Sequence, residues 1–91
     1  MKQKVSDYIA DHIAEWGIRD VFTVTGGGAM HMNDAFGHHP KLHCTYQHHE
    51  QACAMAAEAY ARMDNLMAVV CVTTGPGATN AITGVLGGWM D

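Results

Sequence analysis

An α/β domain of three layers, αβα, built on a parallel sheet is the fold class the sequence predicts, and three observations predict it. The apolar residues switch repeatedly between helical spacing and short β-branched runs. Each such run ends in a turn that opens the next helical segment, the pattern that right-handed βαβ crossovers require. Hydrophobic residues make up 48% of the 91 positions and charged residues only 15%, against a usual charged share of about 25%, so the chain is a core-former and not a disordered segment.

Val5, Ile9, Ile13 and Trp16 recur at helical spacing, Ser6 and Asp7 suit the helix start, and Gly17 suits its stop. Val21–Thr25 is a short β-branched strand that runs into Gly26-Gly27-Gly28, after which Ala29–Phe36 reads as a short helix ended by Gly37 and Pro40. Leu42–Tyr46 is a second strand. From Glu50 to Met63 the alanines at 52, 54, 56, 57, 59 and 61 give the strongest helix propensity in the chain, and their small size lets the helix lie close to a sheet. Asp64-Asn65 supplies a turn. Met67–Thr73 is a continuous apolar run, as in a strand covered on both faces, and Ala78–Met90 restarts the helical pattern after Thr74-Gly75-Pro76-Gly77.

Five Lys and Arg against nine Asp and Glu give a formal net charge of −4, which leaves no electrostatic footprint for nucleic acid. The longest apolar run, Met67–Val72, is far short of the roughly 20 residues that a membrane helix needs, so a cytoplasmic protein without membrane contact is expected. Cys44, Cys53 and Cys71 are odd in number and lie in apolar segments, as buried reduced thiols do. Seven histidines invite a metal reading, but His49-Glu50-Gln51-Ala52-Cys53 puts Cys where H-e-x-x-H needs its second His, so no metal ligands are assigned.

In a parallel sheet, ligands bind at the carboxyl ends of the strands. Three segments follow strands and converge there: Gly26–Gly28, His48–Gln51 and Gly75–Asn80. The Gly-Pro-Gly turn is not a Walker loop, and His31 breaks the dinucleotide fingerprint after the triple glycine. Glu50 would open its helix at that edge. A carboxylate there is favoured by the helix dipole as a structural feature, and it is also placed for acid-base work on a bound ring.

Taken together, Val21–Gly28, His49-Glu50-Gln51 with Met55–Arg62, and Thr74–Asn80 resemble the amino-terminal pyrimidine-binding (Pyr) domain of thiamine diphosphate-dependent enzymes of the acetolactate synthase type. The resemblance covers nearly all of residues 1–91. It implies that the residue matching Glu50 hydrogen-bonds a ring nitrogen of the cofactor aminopyrimidine and promotes the tautomer that deprotonates the thiazolium carbon, which then attacks a 2-keto acid. It makes Glu50 the catalytic residue and carries Thr25, Gly26, Gly27, Glu50, Pro76 and Asn80 over as cofactor-binding positions. The diphosphate and its Mg2+ are held in such enzymes by a separate carboxyl-terminal domain of the same or another chain, bearing a Gly-Asp-Gly motif. No Gly-Asp-Gly occurs here. The resemblance therefore implies a truncated Pyr domain, a homo-oligomeric parent, and no turnover by the chain alone. Acetolactate synthases commonly carry proline where this chain has Thr25. His48-His49 is not the paired-histidine motif of the keto acid decarboxylases. The alternative is a non-catalytic module that self-associates or binds a partner through its open sheet edge.

Overall fold

A computed structural model of the protein describes residues 3–90. Its elements alternate in chain order as α1 (Val5–Glu15), β1 (Asp20–Thr23), a 3-10 turn at Gly27–Ala29, α2 (Met30–His38), β2 (His43–Tyr46), α3 (Glu50–Asp64), β3 (Val69–Cys71) and α4 (Pro76–Met90). The three strands are parallel in the order β2-β1-β3. The chain thus steps outward from β1 to β2 and then back across β1 to β3. Two crossovers of one hand running in opposite directions place their helices on opposite faces.

The packing has that form. Val21, Cys44, Val69 and Cys71 share one face by register, and there they join Ala10 and Ile13 of α1 and Ala35 and Phe36 of α2 in the main core. Phe36 and Val21 are its largest fully buried side chains. On the other face α3 lies against β1 and β3, with the Tyr60 ring edge-on to Phe22 at 6.1 Å. Helix α4 packs against the outside of α3. The α/β expectation of helices around a parallel sheet is met.

Three details differ from the sequence reading. Helix α1 turns Ala10 and Ile13 to the core and leaves Val5 and Trp16 outside. At 100° per residue Val5 and Trp16 lie about a third of a turn from Ala10, with Ile13 between, and Tyr8 stacks edge-on against His12 on the outer side at 4.3 Å. Strand β3 is shorter than Met67–Thr73 and only half-buried, because α4 rests chiefly on α3. Helix α4 begins at Pro76, not Ala78, since proline at a first helical position gives up a donor that has no partner there anyway. The Asp64-Asn65 turn is a helix stop in which Asn65 takes the left-handed conformation (φ 55°) and its amide donates to Ala61. All three thiols are free, Cys53 buried and the other two half-buried.

Candidate functional site

The carboxyl edge of the sheet collects the loops after β1, β2 and β3, and one threonine ties two of them together. Thr73, just past β3, accepts the Gly28 N–H at 3.0 Å. Its side chain lies so close to Gly26, Gly28 and Gly77 that a Cβ on any of them would come within 2.8 Å of it. Only glycine permits that approach at these positions. The loop after β3 turns at Gly75, whose φ of 65° lies in the left-handed region, and Pro76 then opens α4, exposed to solvent.

Glu50 is the first residue of α3, and His49 is its N-cap, the imidazole Nδ1 accepting the Gln51 N–H at 3.1 Å. That acceptor role requires an unprotonated Nδ1. The Asn80 amide of α4 donates to Glu50 Oε1 at 3.1 Å, and Oε2 lies 3.7 Å from where a Cβ on Gly77 would stand, a position that Thr73 Cγ2 already crowds at 2.8 Å. The carboxyl is held below the ordinary carboxylate range, first by the backbone amide at the helix start and then by Asn80, against partial burial. It is therefore a half-buried carboxylate, ionised at neutral pH, with Oε1 engaged by Asn80.

Of the residues named from sequence, Glu50 and Asn80 meet directly, and Gly26 reaches them through Thr73 and Gly77. Thr25, Gly26 and Gly27 line a concavity of about 390 Å³ with Met30 and Asn33. Glu50 is not among its lining residues. A larger hollow of about 510 Å³ lies beside it, between the start of α1 and Gly28, His31 and Met32, and holds none of the named residues. Gly27 has open space on its Cβ side, whereas Gly26 is packed against Thr73, so the first contributes access and the second close packing. The sequence reading missed Thr73, and it placed Gly77 at this edge without naming what packs against it. A signal for Thr73 existed in the alternation Val69, Cys71, Thr73, which carries a small β-branched residue one step beyond the strand on a single face.

Cys53 follows Glu50 by one helical turn, but burial first, and then the Glu50 charge, push its thiol up, which makes it a poor nucleophile. Among the described residues no group of three or more His, Cys, Asp or Glu is placed to hold a metal ion, and no helix is long and apolar enough to cross a membrane.

Residues 3–91 match the family described as thiamine pyrophosphate enzyme, N-terminal TPP binding domain. The chain belongs to that family. It is similar to acetolactate synthase 2, chloroplastic, of Zea mays, with 36% identity over 89 residues, which cover 98% of this chain and 14% of that protein. It is also similar to the acetolactate synthase large subunits of Lactococcus lactis, 34% identical over 86 residues, and of Buchnera aphidicola from Schizaphis graminum, 41% identical over 75 residues. These alignments cover 94% and 82% of this chain and 15% and 13% of the respective relatives. This chain thus spans about one-seventh of the maize relative's length. One relative is named as chloroplastic and the other two are bacterial, so family membership alone does not carry the cytoplasmic expectation.

Proposed function

We propose that this domain supplies the aminopyrimidine side of a thiamine diphosphate site in an acetolactate synthase-like enzyme acting on 2-keto acids, with Glu50 as its catalytic residue. The observation that carries the proposal is the Glu50 carboxylate itself. It is ionised, stands at the first position of α3 on the carboxyl edge of the sheet, and is anchored through Oε1 to Asn80.

The residues present fit the group. An aminopyrimidine is flat and apolar on its faces and polar at its rim, and this edge offers open space beside Gly27 and Gly75 for the faces and a carboxylate for the rim. Thr25, Gly26 and Gly27 would shape one wall, and Pro76 and Asn80 the other. When bound, thiamine diphosphate supplies an electron sink for decarboxylation and carboligation.

Glu50 Oε2 is the atom that takes or returns a proton at the ring, and the Asn80 amide keeps the carboxyl plane from rotating away. Covering this half-exposed carboxylate with a ring and a second protein surface removes water and raises its pKa, toward the value that an acid-base group needs near neutral pH. Gly77 makes room for the Thr73 methyl, and Pro76 stands exposed at the start of α4 beside the carboxylate.

The diphosphate and Mg2+ belong, on this reading, to a separate domain of the same or another chain, in a homo-oligomer, and residues 1–91 alone do not turn over. The test is acetolactate formation from pyruvate by the domain joined to a diphosphate-binding domain. Glu50→Gln is expected to lower the rate by about 10²- to 10⁴-fold, the usual contribution of a positioned proton-transfer group. Wild-type rates in that variant would end the proposal.

A second reading has its own observation. Ile82, Val85, Leu86, Trp89 and Met90 are all exposed on α4, an apolar face suited to self-association without catalysis. Retention of assembly together with no thiamine diphosphate binding would favour it.

A further inference from the structure

We infer that Thr73 is a positioning residue that sets the spacing between the Gly26–Gly28 loop and the start of α4, and through Gly77 and Asn80 the pose of the Glu50 carboxylate. Its consequence for catalysis rests on the function proposed above, while its geometry stands apart from that proposal.

The side chain works in two directions. Its hydroxyl holds the β1 loop by accepting the Gly28 N–H at 3.0 Å. Its methyl faces α4, and a Cβ at Gly77 would come 2.8 Å from Thr73 Cγ2 and 3.7 Å from Glu50 Oε2. Gly26 closes the nest, its own Cβ position lying 2.6 Å from Thr73 Cβ. A β-branched residue has a strongly restricted χ1, so the hydroxyl and methyl keep these assignments and the two loops move together. Asn80 lies one helical turn beyond Gly77 on α4, so a displaced Gly77 carries the Asn80 amide away from Glu50 Oε1.

The test is a mutant cycle on the 91-residue chain, with no cofactor present. Gly77→Ala drives a methyl against the Thr73 methyl, and Thr73→Ser removes the latter while keeping the hydroxyl. Gly77→Ala alone is expected to lower Tm by roughly 4–24 °C and to shift the Glu50 carboxyl titration, followed by NMR, upward as the Asn80 bond weakens. Thr73→Ser combined with Gly77→Ala should recover most of both changes. Thr73→Val keeps the shape but loses the acceptor, so exchange of the Gly28 amide should speed up about fivefold to tenfold.

As a control, Ile13→Val in the remote core should lower Tm and leave the Glu50 titration where it was. Additive effects of the Thr73 and Gly77 changes, or a Glu50 titration unmoved by Gly77→Ala, would overturn the inference. These readouts involve no cofactor. A coupled cycle alongside a catalytically silent Glu50→Gln would therefore remove the proposed function and leave the positioning role, and an uncoupled cycle with an inactive Glu50→Gln would do the reverse.

Discussion

Gly84 is the tightest point between α3 and α4, and its substitution tests how closely those helices must approach. A Cβ there would overlap the Ala54 Cβ and stand 3.2 Å from the Met55 backbone nitrogen and 3.3 Å from the Ala54 carbonyl carbon. No rotamer relieves contacts that involve backbone, so Gly84→Ala must push the helices apart. Overpacking of this kind costs about 1–3 kcal/mol, against a helix-propensity gain of about 1 kcal/mol for replacing a mid-helix glycine. Gly87→Ala is the internal control, for its nearest neighbour would be Glu58 Oε1 at an ordinary 3.7 Å, so it keeps the propensity gain and meets no overlap. The difference between the two variants isolates packing, about 1–3 kcal/mol, which for a domain of this size is a Tm gap of roughly 4–24 °C. Thermal unfolding followed by circular dichroism measures it. A Gly84→Ala protein as stable as Gly87→Ala would refute the close-packed helix pair that brings Asn80 to Glu50.

Three other outcomes follow from the same structure. Because the Glu50 carboxyl is depressed in the folded state, its stabilising contribution is complete at neutral pH and is lost only as pH falls through that lowered value; Asn80→Ala should move this loss to higher pH, and an NMR titration unchanged by the substitution contradicts the bond. Thr23, buried in the sheet, has its hydroxyl 2.8 Å from the Cys71 carbonyl and 2.9 Å from Asn33 Oδ1, so Thr23→Val should destabilise the fold by about 1–3 kcal/mol through the acceptor left unsatisfied, and an unchanged denaturant midpoint would count against it. Val85→Glu and Trp89→Glu, on the exposed face of α4, should weaken any self-association seen by sedimentation while leaving the circular dichroism spectrum intact, and equal association in wild type and variants would place the contact elsewhere.

The element order was legible because glycine and proline punctuate it. Gly26–Gly28 and Gly75-Pro76 mark the places where strands give way to helices, and both turns lie where the sequence puts them. The start of α3 at Glu50 was equally readable, since the alanine run has one propensity and no competitor. The buried face of α1 was not. Val5, Ile9 and Trp16 are more apolar than Ala10, yet the neighbour that decides burial is α2, whose Ala35 and Phe36 meet Ala10 and Ile13. The cover over β3 was misjudged for a similar reason, as small residues on α3 and α4 draw those helices together and leave the strand half-open. At the site, Glu50 and Asn80 could each be named from motifs, but their contact spans 30 positions and depends on the Ala54–Gly84 approach. Periodicity carries no information about such a distance.

In the proposed function the Glu50 carboxylate acts on the cofactor ring. Deuterium exchange at the thiazolium carbon of thiamine diphosphate, followed by NMR in an enzyme assembled around this domain, tests it before any substrate is added. The expected result is exchange slowed by about 10²- to 10⁴-fold in Glu50→Gln relative to wild type, with the cofactor still bound. Exchange at the wild-type rate with cofactor bound would contradict it.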